Sequence, residues 1–148
     1  MPLNTRAKKR ETVEALAEYA INEATEKTIK LNLPKSSIKS EAAEVVFVKA
    51  SLLDISVLGC AIDSPYIIPP GVILDIRIDS TPFTNVAGGE RKEPMKVIGK
   101  VTSCVMKTAN HYRLGVCFTK IEKDDTSLID NFINLSERRQ APRWDMTK

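Results

Sequence analysis

Asp54-Ile55-Ser56-Val57-Leu58-Gly59 is a D-x-S-x-x-G string that joins two runs of β-branched and apolar residues, 45–55 and 60–62. Asp, Ser and Gly are common residues of tight turns, so the string predicts a turn between two consecutive strands. In this interpretation Gly59 supplies a positive φ, and the side chain of Asp54 or Ser56 caps the backbone of the turn.

Period-two alternation and β-branched runs predict further strands along the chain. They cover residues 29–33, 72–78, 95–106 and 112–121. Pro34, Pro69-Pro70-Gly71 and Ala109-Asn110 mark turns, and residues 84–93 are predicted to form a Gly-containing loop. Many short strands at close spacing indicate a mainly β protein, a small antiparallel barrel that leaves no exposed sheet edge.

Two helices are predicted to flank this barrel. In residues 11–26, apolar residues recur at helical spacing. They are Val13, Leu16, Ala17, Ala20, Ile21 and Ala24. Their stripe could pack on the same domain or form a homodimer contact. Asp124-Asp125-Thr126 is an N-cap cluster that begins a C-terminal helix. The chain then divides into a basic leader and helix at 1–27, a barrel at 28–123, a helix at 124–138 and an Arg-rich tail at 139–148.

Composition excludes several classes of protein. The chain has 148 residues, enough for one domain, and its net charge of +3 and 5% aromatic residues argue against a nucleic-acid binder. No nucleophile–base pair, metal cluster or phosphate loop is present in the sequence, so neither an enzyme nor a metal site is expected. No apolar run is long enough to span a bilayer and no signal peptide is recognisable, so a cytoplasmic location without membrane insertion is expected.

The D-x-S-x-x-G string and the Arg-rich C-terminal segment carry the side chains that suggest a ligand site. Arg139 and Arg143 form an R-x-x-x-R pair. Guanidinium groups clamp phosphate with two parallel hydrogen bonds and read O6 and N7 of guanine. The Asp54 carboxylate can accept hydrogen bonds from N1 and N2 of guanine. A guanine nucleotide therefore suits this combination of side chains.

Together, these strings resemble the PilZ domain, the bacterial receptor family for cyclic di-GMP. Pro70-Gly71 and the strand after it are similar to the family's P-G turn, and Gly115-Val116-Cys117-Phe118 is similar to its G-V-x-F ending. The similarity covers residues 28–135. It implies a PilZ-like barrel with cyclic di-GMP as ligand, no other cofactor and no DNA partner.

The arginine pair departs from the family's pattern. In most PilZ domains the R-x-x-x-R segment stands just before the first strand, but residues 18–27 contain no Arg. We therefore predict that the segment is displaced to the C-terminus. The predicted ligand site consists of Arg138, Arg139, Arg143, Asp54, Ser56 and Gly59. Arg6 and Arg10 have the same spacing and are the alternative clamp, although they precede the predicted helix within a general basic run.

The resemblance implies a receptor that acts on a protein partner. Ligand binding would order the Arg-rich segment and create the surface that the partner recognises. The alternative function is a PilZ-like module that binds no nucleotide and acts through protein contacts in pilus or flagellar machinery. The sequence does not identify the partner. It allows a homodimer through the N-terminal helix.

Overall fold

The computed structural model describes residues 10–22, 47–89, 91 and 93–140, the last four without their side chains. Six antiparallel strands close a barrel in the order β1-β2-β3-β6-β5-β4. They are β1 Glu11–Ile21, β2 Val48–Ile55, β3 Gly59–Ser64, β4 Ile73–Ile78, β5 Met95–Thr108 and β6 His111–Lys120. Helices α1 Thr81–Ala87 and α2 Lys123–Gln140 follow β4 and β6. The prediction of a small, mainly β barrel with a C-terminal helix is confirmed.

The predicted N-terminal helix over residues 11–26 is wrong, because Glu11–Ile21 is strand β1. Val13, Ala15, Ala17 and Tyr19 are buried at a period of two, which is the period of a strand. Leu16, a member of the proposed helical stripe, is 72% exposed. β1 pairs with both β2 and β4, so it closes the barrel. The described part of the span, residues 11–22, contains no helix that could carry the homodimer contact, and the barrel includes residues assigned to a leader and helix.

The predictions of the other described strands are confirmed. β2 to β6 fall within two or three residues of the predicted runs, except that the strand predicted over 29–33 lies outside the described residues. β5 and β6 form one long hairpin whose turn includes Asn110 at φ 64°, a left-handed conformation that Asn tolerates. Among the described residues, no helix has both the length and the apolar character needed to cross a membrane.

Helix α1 replaces part of the loop predicted over residues 84–93. Ser80 stands at its N-cap and Pro82 lies in its first turn, an arrangement typical of helix starts. Phe83 of α1 is fully buried and meets the edge of the Phe132 ring of α2 at 4.8 Å between centroids. The two helices are therefore held together by core packing.

A polar contact reinforces this pair of helices. Arg91 donates a hydrogen bond to the carboxylate of Asp125 on α2, which is 2% exposed, and another to the carbonyl of Pro94 at 3.2 Å. The hydroxyl of Ser80 donates to the carbonyl of Glu93 at 2.9 Å. These bonds tie the segment after α1 to the start of α2, the helix that leaves the barrel after β6.

Candidate functional site

The D-x-S-x-x-G string forms the predicted turn, between β2 and β3. The amide of Ser56 donates to the carbonyl of Gly59 at 2.8 Å, which closes the turn. The Ser56 hydroxyl accepts from the amide of Leu58 at 3.1 Å and donates to the carbonyl of Gly59 at 3.4 Å. Ser56 is 2% exposed. Its observed contacts hold the turn, and its role as a direct ligand contact stays a prediction.

Gly59 is required for a reason other than the expected positive φ, which Gly59 does not have. A Cβ atom at Gly59 would lie 2.1 Å from the carbonyl oxygen of Val116 on β6. The same approach lets the amide of Phe118 donate to the carbonyl of Leu58 at 2.8 Å. The absence of a side chain at Gly59 therefore allows the turn to lie directly against β6.

Asp54 is the centre of a charged cluster at the end of β2. Its Oδ1 accepts a hydrogen bond from Nη1 of Arg10 at 2.8 Å, and its Oδ2 accepts one from Nη2 of Arg113 at 2.7 Å. The Asp54 side chain is only 14% exposed, against 24% for Arg10 and 41% for Arg113. Two guanidinium groups and one carboxylate leave this partly buried cluster with a net positive charge.

The two arginines also set the protonation of Asp54. Burial alone would raise the pKa of this carboxyl, but the hydrogen bonds and charges of Arg10 and Arg113 outweigh burial and hold the pKa below its usual value. Asp54 is therefore ionised at neutral pH. An ionised carboxylate can only accept hydrogen bonds, as a guanine N1–H and N2 amino group would require.

A small residue on β3, between the strands of Asp54 and Arg113, favours this cluster. Asp54 is in register with Ala61 on β3, and Ala61 is in register with Gly115 on β6. Arg113 stands two residues before Gly115, so its side chain crosses β3 to reach Asp54 on β2. Two strand spacings are about 10 Å. The small side chain of Ala61 leaves room for a long side chain to lie across the outer face of the barrel.

The structure does not test the predicted C-terminal arginine clamp. Arg143 lies outside the described residues, and Arg138 and Arg139 belong to α2 by their backbone only. A displaced clamp at the C-terminus therefore stays a prediction. Arg10, the alternative, lies immediately before β1 and contacts Asp54 directly. Its partner in the R-x-x-x-R spacing, Arg6, precedes the described part of the chain.

Arg113 is a site residue that the sequence does not predict. Its position in the Y-R-L-G-V string of β6 gives no local signal, because only the closed barrel brings it beside Asp54.

The described residues offer no metal site near this cluster. At the adjacent end of the hairpin, Nδ1 of His111 lies 3.1 Å from Oδ2 of Asp63. No group of three or more His, Cys, Asp or Glu side chains in the described ranges could hold a metal ion.

A separate groove of about 410 Å³ lies beside β4 and β5. The guanidinium carbon of Arg77 stands 3.9 Å from the centre of the Phe47 ring, and the Arg77 side chain donates to Glu18 at 3.2 Å. The groove contains none of the predicted site residues. The charged cluster on the outer face, at the D-x-S-x-x-G turn, therefore remains the candidate site.

Comparison with known proteins shows the same overall fold in other solved structures. The fold is similar to the Inhibitor of motility (MotI/DgrA) of Bacillus subtilis, with TM-score 0.61, 11% identity, and coverage of 94% of this chain and 55% of that one. It is also similar to the PilZ domain of YcgR from Escherichia coli with c-di-GMP, with TM-score 0.55, 11% identity, and coverage of 93% and 95%. The chain thus spans about half the length of the Bacillus protein.

A third similar structure is the Borreliella burgdorferi PlzA protein in complex with c-di-GMP, with TM-score 0.45, 16% identity, and coverage of 87% of this chain and 41% of that one. No curated protein matches the chain in sequence. The family model of the PilZ domain matches residues 25–135, well over half of the chain. This chain therefore belongs to the PilZ domain family.

Proposed function

We propose that this protein is a receptor for cyclic di-GMP that acts on a protein partner and catalyses no reaction. The observation that carries the proposal is the Arg10–Asp54–Arg113 cluster beside the D-x-S-x-x-G turn. Family membership and the E. coli PilZ domain with c-di-GMP support the same ligand. The ligand would lie on the outer face of the barrel, over β2, β3 and β6.

The cluster has the charges that this ligand requires. Cyclic di-GMP carries two phosphates and two guanines, so it needs cationic forks together with an acceptor for N1–H and the N2 amino group. Arginine supplies the forks with parallel N–H donors, and ionised Asp54 supplies the acceptor. The excess positive charge of the cluster attracts an anionic dinucleotide before any specific contact forms.

We assign the clamp to Arg10 and its partner in spacing, Arg6. Arg10 precedes the first strand of the described barrel, the place where the family's R-x-x-x-R segment stands, and its guanidinium group already contacts Asp54. Arg138, Arg139 and Arg143 form the competing clamp. Arg143→Ala tests that clamp in the same experiment as Arg10→Ala.

The turn offers a route from ligand to partner. The carbonyl of Leu58 accepts from the amide of Phe118 near the end of β6, and α2 begins at Lys123 shortly after β6 ends. A ligand that shifts the turn would shift the end of β6 and the start of α2 with it. The partner would recognise the reoriented helix or the ordered Arg-rich segment.

Isothermal titration calorimetry with cyclic di-GMP tests the proposal. We expect the wild-type protein and Arg143→Ala to bind, and Arg10→Ala to lose at least tenfold in affinity, as expected for a charge-assisted clamp. Cyclic di-AMP is the ligand control, since adenine offers no N1–H donor to Asp54. Binding lost in Arg143→Ala and kept in Arg10→Ala would assign the clamp to the C-terminus. A wild-type protein that binds no cyclic di-GMP would contradict the receptor and favour the protein-interaction module.

A further inference from the structure

Arg113 on β6 is a second cationic partner of Asp54 that neither the D-x-S-x-x-G string nor an R-x-x-x-R segment contains. We propose that Arg113 is a positioning residue. It keeps the Asp54 carboxylate paired and oriented when Arg10 turns from Asp54 to a phosphate of the ligand. This inference rests on the proposed function. It adds the residue that keeps the Asp54 carboxylate paired both without ligand and with ligand bound.

The hydrogen bonds divide Asp54 between the two arginines. Arg10 occupies Oδ1 through Nη1, and Arg113 occupies Oδ2 through Nη2. A bidentate clamp on phosphate uses two parallel N–H groups of one guanidinium, so ligand binding draws Arg10 away from Oδ1. Oδ1 is then free to accept from guanine, while the bond from Arg113 to Oδ2 is unchanged.

The two arginines differ in how firmly the backbone holds them. Arg113 lies between two strands, in register with Asp63 on β3 and with Val105 on β5. Arg10 stands before the first residue of β1. At this end, β1 pairs with only one described strand: Glu11 is in register with Ile55 of β2, and the pairing of β1 with β4 begins at Ala17. The backbone of Arg113 is therefore the more firmly held of the two, although the Arg113 side chain is the more exposed, and we infer that Arg10 is the member that moves.

Loss of Arg113 would weaken ligand binding through Asp54. The Asp54 side chain is 14% exposed, and a charge at such a site is unfavourable when its last cationic partner leaves. In Arg113→Ala, Arg10 would be the only described arginine on Asp54, and the ligand would have to break that pair in order to bind. The substitution also removes the bond that fixes the plane of the carboxylate against guanine.

Calorimetry on three variants tests this role. We expect Arg113→Ala to bind cyclic di-GMP about tenfold more weakly than the wild type, and Arg113→Lys to recover part of the loss because Lys keeps the charge but not the fork. Arg77→Ala is the matched control, a strand arginine paired at 3.2 Å with Glu18, which lies opposite Lys49 on β2, five positions from Asp54. We expect it to bind as the wild type does. Wild-type affinity in Arg113→Ala would overturn the inference.

A second measurement needs no ligand and separates this inference from the proposed function. NMR titration of the Asp54 carboxyl carbon should give a lower pKa in Arg10→Ala than in the double variant Arg10→Ala with Arg113→Ala, because Arg113 remains in the first. In the double variant both cationic partners are gone, so only burial acts on the Asp54 pKa, and burial raises it. Equal pKa values in the two variants would show that Arg113 does not hold Asp54, whether or not the protein binds cyclic di-GMP.

Discussion

Gly59→Ala should destabilise the barrel at its contact between β3 and β6. The new Cβ would lie 2.1 Å from the carbonyl oxygen of Val116, and 3.2 Å from its carbonyl carbon. A normal C···O contact is about 3.3 Å, so the strands must separate by roughly 1 Å. All of these atoms belong to the backbone and cannot rotate away. Overpacking costs about 1–3 kcal/mol, and a weakened hydrogen bond adds about 1 kcal/mol. We expect a total loss of about 2–4 kcal/mol.

Urea denaturation followed by circular dichroism measures this loss, with Gly115→Ala as the matched control. A Cβ at Gly115 would meet the hydroxyl oxygen of Ser103 at 2.5 Å. Ser103 is exposed and its side chain can adopt another rotamer, so the control should lose only about 1 kcal/mol. If Gly59→Ala lost no more stability than Gly115→Ala, the close backbone approach would not be the reason for glycine at position 59.

Two further predictions concern the charged cluster and the helices. Asp54→Asn should be less stable than the wild type at pH 7. The difference should vanish as the pH falls through the lowered folded-state pKa of Asp54, below the unfolded value of about 3.9, because protonation removes the same charge from the wild type. Urea denaturation between pH 7 and pH 2 would contradict this if the difference persisted unchanged. Phe83→Ala should cost about 3–5 kcal/mol, since Phe83 is fully buried and touches Phe132. Asn85→Ala on the exposed face of the same helix should stay within about 0.5 kcal/mol, and equal losses would refute the assigned packing.

The barrel was predictable because most of its strands show a local signal. β-branched runs, Pro-Gly turns and the D-x-S-x-x-G string indicate β2 to β6 without reference to any distant residue. β1 lacks such a signal. Its alanines favour a helix by intrinsic propensity, and its apolar residues satisfy both a helical and a period-two pattern. Only pairing with β2 and β4 decides between the two, and that pairing is a tertiary interaction.

The assignment of β1 also bears on the choice between the two arginine clamps. A helix over residues 11–26 would place Arg10 far from the first strand and would favour the C-terminal arginines as the clamp. With β1 beginning at Glu11, Arg10 stands directly before a strand. The choice between the two clamps therefore depends on how residues 11–26 are assigned, and the C-terminal clamp stays a prediction.

Asp54 and Gly59 were identifiable from their string, but two features of the site depend on the closed barrel. Arg113 is 59 positions away from Asp54 in the chain. The two side chains meet because the strand order of the barrel leaves only β3 between β2 and β6. The contact of Gly59 with Val116 likewise comes from strand order. Helix α1 differs, since Ser80 and Pro82 give a local start signal that the loop prediction overlooked.

The most direct test of the account is a titration of ¹⁵N-labelled protein with cyclic di-GMP, followed by amide chemical shifts. We predict saturable shifts centred on Ser56, Gly59, Ala61 and Arg113, with smaller shifts at the start of α2. Two results would contradict the account: no shift at these residues even with excess cyclic di-GMP, or shifts confined to the groove beside Phe47 and Arg77.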